Sequence, residues 1–281
     1  MAQKIRFTKM HGAGNDYIYV YTPDNEIPDP AKASIEWSKF HFGIGSDGLI
    51  LIGKSAALEA DFTMRIFNND GSEAMMCGNG VRCVGKYVYD HHLTDKTTVA
   101  IDTLSGIKVI NLHVGEDGTV GSATVNMGAP LLANRRQMAT PDGSMKQGSV
   151  GGYEGTYVCM GNPHFVIFVP DVMSIDLPKV GPVLEHNDIF PERCNIEFAT
   201  IRPDGSIRMR VWERGSGITM ACGTGACATA VAASVCGLRG RESDVEMDGG
   251  TLHIEWRESD GKVYMTGPAA TAFEGEVIVN S

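Results

Sequence analysis

Cys77 and Cys222 each open a Cys-Gly-x-Gly segment, Cys77-Gly78-Asn79-Gly80 and Cys222-Gly223-Thr224-Gly225. Each segment precedes a helical pattern. A thiol ordinarily titrates near about 8.5, and a helix N-terminus favours the thiolate through unpaired N–H groups and the macrodipole. The flanking glycines let the backbone come close to a ligand, so the same N–H groups suit a carboxylate. A carboxylate gripped from two helix starts would hold its α-carbon with a sulfur on either side. One thiolate then removes the α-proton while the opposite thiol supplies another, inverting the centre. The donors around the carboxylate would stabilise the enolate-like charge that develops. One sulfur must be thiolate while the other is thiol, and the titration belongs to the pair.

A lone cysteine is more often a small buried hydrophobe, which is the reading given to Cys83, Cys159, Cys227 and Cys236; Cys194 has no assigned role. An internal repeat reverses that reading for Cys77 and Cys222. Met64-Arg65-Ile66-Phe67-Asn68 has its arginine twelve residues before Cys77, and Met209-Arg210-Val211-Trp212-Glu213 has its arginine twelve before Cys222. In that register Met75 also matches Met220, and the glycines of the two segments coincide. Gly14-Asn15 and Gly161-Asn162 extend the match, their asparagines standing 62 and 60 residues ahead of the two cysteines. The chain reads as one domain, duplicated, with a ligand site expected at the interface of the halves.

The elements that must carry these segments are mostly strands. Alternating or β-branched runs cover 5–10, 17–21, 49–52, 62–67, 107–114, 165–169, 195–201, 207–212, 252–256 and 277–279. Helical patterns cover 31–40, a segment after Asn79, and 225–236. Ala226, Ala228, Ala230, Ala232 and Ala233, with Val231 and Val235, leave this last helix almost no polar face, so it should be enclosed by strands. The stretches 118–128 and 133–152 read as polar loop. The expected class is α+β, with two pseudo-twofold-related, strand-rich, barrel-like domains each wrapped around a central helix.

Composition excludes several functions. The chain has 281 residues, 43% of them hydrophobic, enough for a substantial core. Its formal net charge of −10 argues against a sequence-independent grip on nucleic acid or an anionic membrane. No apolar stretch has the length of a membrane helix, and the N-terminus lacks a signal-peptide core. Seven cysteines without a C-x-x-C pair fit reduced thiols in a cytoplasm. The histidines show no ligand spacing, and no metal is expected.

Lys9–Asp16, Arg65–Gly71, Cys77–Gly80, Met160–His164, Glu213–Gly215, Ala221–Ala226 and Met265–Pro268 together closely resemble the diaminopimelate epimerase family, in order and over essentially the whole chain. The resemblance implies cofactor-independent interconversion of LL- and meso-diaminopimelate, in lysine and peptidoglycan precursor synthesis, by a homodimer acting on a small-molecule amino acid. Carried over by position, it makes Cys77 and Cys222 the acid/base pair and gives the backbone of Gly78, Asn79, Gly223 and Thr224 the reacting carboxylate. Asn15, Asn68, Asn162, Asn195, Glu213 and Arg214 become substrate-binding side chains, the Arg214 fork suiting a carboxylate. His164 and Glu213 become the residues that tune the thiols. Many members carry Gln where this chain has Gly48, and some carry Tyr where it has Phe273. Gly48 is kept as a substrate-site position. The family's final strand returns to the first domain, giving domains 1–121 plus 270–281, with Cys77, and 122–269, with Cys222. A non-catalytic amino-acid-binding or thiol redox protein on the same scaffold is the competing class.

Overall fold

A computed structural model describes residues 2–280 of the chain. Two compact units divide it, one formed by 1–125 and 267–281, the other by 126–266. The crossings therefore fall inside the strands Val120–Gly128 and Val263–Pro268, against the 121/122 and 269/270 read from sequence.

In the first unit Ala2–Gly12 pairs antiparallel with Asn15–Tyr21, which runs parallel to Gly48–Lys54. That strand is antiparallel to Phe62–Asn68, which is parallel to Thr98–Asp102. Lys108–Val114 and Val120–Gly128 follow as antiparallel neighbours. Helix α1 (Pro30–Trp37) makes the first parallel crossover; Pro30 sits in its first turn and Asp29 caps it by accepting from Lys32 N–H. Helix α2 (Gly78–Asp90) follows the short strand Glu73–Ala74.

The second unit repeats this order. Tyr153–Cys159 pairs antiparallel with Pro163–Phe168, which is parallel to Asn195–Ile201. Ile207–Glu213 is antiparallel to that strand and parallel to Glu242–Met247, and Gly250–Trp256 and Val263–Pro268 complete the ladder. Helix α3 (Leu177–Glu185) makes the crossover, and helix α4 (Gly223–Val235) follows Gly217–Ile218. The duplicated sequence has a duplicated topology.

Strand alternation sorts side chains between two helices in each unit. Ile18, Val20, Leu49 and Leu51 pack with Ala33 and Trp37 of α1, so Tyr17, Tyr19, Gly48 and Ile50 point the other way, toward α2. Phe165, Ile167, Ile196 and Phe198 pack with Leu177 and Leu184 of α3, leaving His164, Asn195 and Glu197 on the α4 side. Helix α4 packs against all six strands from Tyr153–Cys159 to Gly250–Trp256 named above, as its missing polar face requires. Buried Ile, Leu and Phe of this kind each contribute about 1.5–3 kcal/mol.

Three local expectations are corrected. Residues 120–128 form a strand, not a loop, because buried Val120, Ala123, Val125 and Met127 anchor a sequence whose small polar residues hide the alternation. Helix α3 was masked by Gly181 and the internal Pro182. Helix α1 stops at Trp37, short of Phe40. Among the described residues no helix is long and apolar enough to cross a membrane.

Candidate active site

Both cysteines occupy the N-cap of the helix they precede, with extended backbone at φ −133° for Cys77 and −122° for Cys222. Gly80 N–H donates to Cys77 Sγ at 3.3 Å and Gly225 N–H donates to Cys222 Sγ at 3.4 Å. The first-turn N–H groups of Gly78 and Asn79, and of Gly223 and Thr224, have no carbonyl four residues back inside their helix. They are ready donors for an anion.

Around Cys77 the side chain that meets the sulfur is an amide, with a carboxyl behind it. Its thiol donates to Asn15 Oδ1 at 3.2 Å, and Asn15 Nδ2 donates to Asp47 Oδ2 at 2.8 Å. Burial pushes the Asp47 carboxyl up. The side chain of Asn79 accepts from fully buried Arg82 at 2.9 Å, and Arg82 also donates to Gly78 O and Pro268 O. The guanidinium thereby fixes the start of α2, leaving Asn79 to act through its backbone. Asn68 ends its strand and donates to Ser72 Oγ at 3.1 Å, within a turn. Gly48 lies beside Asn68 in the sheet. A Cβ there would stand 2.2 Å from Phe67 O and 3.0 Å from Tyr17 Cε1, so the backbone's close approach demands glycine.

Around Cys222 the groups are charged. Glu213 accepts a short hydrogen bond from Thr219 Oγ1. Asn162 donates to Thr224 Oγ1 at 3.3 Å and accepts from His164 Nε2 at 3.0 Å. His164, fully buried, holds Glu197 Oε1 at 2.6 Å through Nδ1. Burial drives the Cys222 thiol well above its ordinary range, reinforced by the carboxylates of Glu213 and Glu197; the donors Thr224 and Gly225 only partly oppose them. The lowering expected of a helix start is thus overridden at Cys222. Glu213 is itself raised, chiefly by burial.

Asn195 and Arg214 are joined but serve the backbone. Asn195 Nδ2 donates to Pro163 O at 2.8 Å while its Oδ1 accepts from Arg214 N–H at 2.9 Å. The Arg214 guanidinium donates to Glu192 O. Asp47, Glu197 and Thr219 were not singled out from sequence. Glu197 had a signal, a lone carboxylate in the middle of the apolar strand Asn195–Ile201. Among the described residues no group of three His, Cys, Asp or Glu is placed to hold a metal ion.

Each unit can therefore offer a sulfur beside an anion-binding helix start. The same fold occurs in solved structures of low sequence identity. A hydroxyproline epimerase from Agrobacterium vitis superposes with a TM-score of 0.70 at 16% identity, covering 99% of this chain and 92% of that one. A phenazine biosynthesis protein of the PhzF family from Bacillus anthracis gives 0.70 at 17%, covering 99% and 100%. Sequence narrows this class to one family. The diaminopimelate epimerase family model matches residues 7–132 and 156–272. Diaminopimelate epimerase of Phocaeicola vulgatus is 61% identical, with 99% of both chains covered, and that of Methanococcus maripaludis strain C5 is 49% identical over 97% of this chain and 99% of its own. The chain belongs to the diaminopimelate epimerase family, and is an isomerase.

Proposed function

We propose that the protein epimerises LL-diaminopimelate to meso-diaminopimelate without a cofactor, Cys77 and Cys222 dividing the two faces of one α-carbon. The observation that carries this is the duplicated helix start, where each cysteine is an N-cap that receives an N–H from the glycine three residues on.

In the resting protein Cys222 is the thiol, because burial and two carboxylates oppose its ionisation. Cys77 is then the base. Its thiolate takes the α-proton, the electron pair moves into the carboxylate, and the N–H groups of Gly78, Asn79, Gly223 and Thr224 stabilise the enediolate. The Cys222 S–H returns a proton to the opposite face, leaving Cys77 as thiol and Cys222 as thiolate. The reverse direction exchanges the roles. His164 and Glu213 tune Cys222, and Asn15, Asn68, Asn162, Asn195, Glu213, Arg214 and the backbone at Gly48 complete the substrate site. Asn195 and Arg214 would exchange their present partners for the distal amino-acid group. The same proposal includes a cytoplasmic homodimer serving lysine and peptidoglycan precursor synthesis.

Incubation with LL-diaminopimelate in deuterium oxide tests the reading, with proline, hydroxyproline and histidine as controls. Deuterium enters the α-position of diaminopimelate alone. Exchange confined to another amino acid would overturn the substrate, and no exchange with any would overturn the reaction.

A further inference from the structure

Helix α3 ends on a charge where neither the helix nor the core favours one. Glu185 is its last residue, at the negative end of the helix dipole, and is 3% exposed. A carboxylate buried in that position is costly unless donors surround it. Here three donors meet it. Trp212 Nε1 donates to Oε2 at 2.8 Å, Gly215 N–H donates to Oε1 at 3.0 Å, and the Arg193 guanidinium donates to Oε1 at 3.4 Å. Trp212 and Gly215 bracket Glu213 and Arg214 in the chain, so one carboxylate holds the backbone on either side of two substrate-site positions.

The repeat puts a polar side chain in the same place in the first unit. Ser34 of α1, wholly buried, donates to Phe67 O and to Asn68 O at 2.8 Å each. Phe67 and Asn68 are the residues that match Trp212 and Glu213. The turns that follow also match, Gly71 N–H donating to Asn68 O as Ser216 N–H does to Glu213 O. Each crossover helix thus braces the end of the strand that carries the arginine twelve residues before its cysteine. The brace in the second unit is a carboxylate, and it takes an N–H of the turn itself.

We propose that Glu185 is a positioning residue for Arg214, fixing the turn after the strand Ile207–Glu213 so that the guanidinium meets the carboxylate at the unreacted end of the ligand. This rests on the substrate site proposed above. Arg214 N–H is held by Asn195 Oδ1 at 2.9 Å and its guanidinium by Glu192 O at 2.9 Å. Both holds are given up when Asn195 and Arg214 turn to the ligand. The bond from Gly215 N–H to Glu185 lies one residue further on and needs no such exchange, so it keeps the turn in place while the side chains change partners. Gly215 and Gly217 both take a φ of 79°, and the freedom of glycine would loosen the turn without an outside anchor. Gly181 completes the brace. A Cβ on it would stand 2.5 Å from Trp212 Cγ, so α3 rests directly on the indole that Glu185 binds.

The experiment is steady-state epimerisation by Glu185→Gln, beside hydrogen exchange of the peptide spanning 213–217, read by mass spectrometry. The amide keeps the shape but leaves one acceptor oxygen for the two donors on either side of Arg214. Exchange over 213–217 should quicken and KM should rise about tenfold while kcat stays within about twofold, because the unreacted end is bound alike in the ground and transition states. Glu185→Asp, which keeps both oxygens, recovers part of the KM. Trp212→Phe, the residue type that the first unit carries at this place, removes one donor without touching the carboxylate and raises KM by a smaller factor. Glu154→Gln, an exposed charge of the same unit, leaves both readings unchanged. Unmoved exchange or an unmoved KM in Glu185→Gln overturns the proposal, as does a loss carried by kcat alone. Should Glu185→Gln fail to fold, Trp212→Phe decides, an unmoved KM again overturning it. If another amino acid exchanges its α-proton in place of diaminopimelate, the substrate reading fails, and the KM for that acid decides the role of Glu185 by the same rise or its absence.

Discussion

His164 Nδ1 stands 2.6 Å from Glu197 Oε1, and both side chains are wholly excluded from solvent. A buried pair of this kind is costly unless geometry is good and the remaining polar atoms are engaged, and here Glu197 Oε2 is buried with no hydrogen-bond partner among the described residues. The other end of the pair is tied through Asn162 to Thr224, in the first turn of the helix that Cys222 caps. Glu197 therefore acts on Cys222 by its charge and by fixing His164. Replacing it with Gln keeps the shape and removes the charge. Glu197→Gln should lower the alkylation midpoint of Cys222 and reduce kcat about ten- to hundredfold. Glu213→Gln should lower that midpoint further, since Glu213 is the larger of the two charge effects.

Cys77→Ala and Cys222→Ala should each reduce epimerisation by at least about a thousandfold while leaving circular dichroism unchanged. Product analysis by chiral chromatography reads the loss. Full epimerase activity in either variant would overturn the two-base mechanism, whereas the competing non-catalytic class expects no epimerisation by the unmutated protein and a function that both variants retain.

Gly48→Ala should destabilise the protein by about 1–3 kcal/mol in urea titration. The added Cβ meets the Phe67 carbonyl, a backbone atom that cannot swing aside. Gly152→Ala, at a position with open space but positive φ, gives the comparison for backbone strain without a clash.

Stability should fall in alkali. Burial pushes the Cys83 thiol up to about 11 from an ordinary 9.0. The folded protein keeps a proton that the unfolded chain releases, so this contribution is complete below pH 9.0, the ordinary value, and is lost as pH rises toward about 11. Urea midpoints measured across that window should decline, and Cys83→Ala should make the decline shallower.

What could be read in advance follows the physics of each signal. Strands rich in Ile, Val and Phe and the all-small helix α4 announce their burial, and the spacing of Arg65 and Arg210 from the cysteines announces the duplication. The strand 120–128 escaped because Gly121, Ser122 and Asn126 dilute its alternation, and α3 because Pro182 breaks its pattern. In the site, both sulfurs and the helix starts were legible from local sequence. Asp47 was not, and Glu197 showed only as a lone carboxylate in an apolar strand, since the effect of each depends on pairing in the sheet and on the helix packed above it. The raised thiol of Cys222 was equally hidden, being set by carboxylates 9 and 25 residues away in sequence (222 − 213 and 222 − 197).

The strand Ala270–Asn280 lies antiparallel along Ala2–Gly12, with Gln3 opposite Val279 and Phe7 opposite Gly275. During synthesis the first unit must therefore wait for a strand made after the whole of the second unit. The second unit, a continuous segment, can close while the chain is still being made. Assembly in this molecule runs against the usual N-terminal-first order, and Cys77 receives its finished surroundings last, since Arg82 at the start of α2 needs the carbonyl of Pro268.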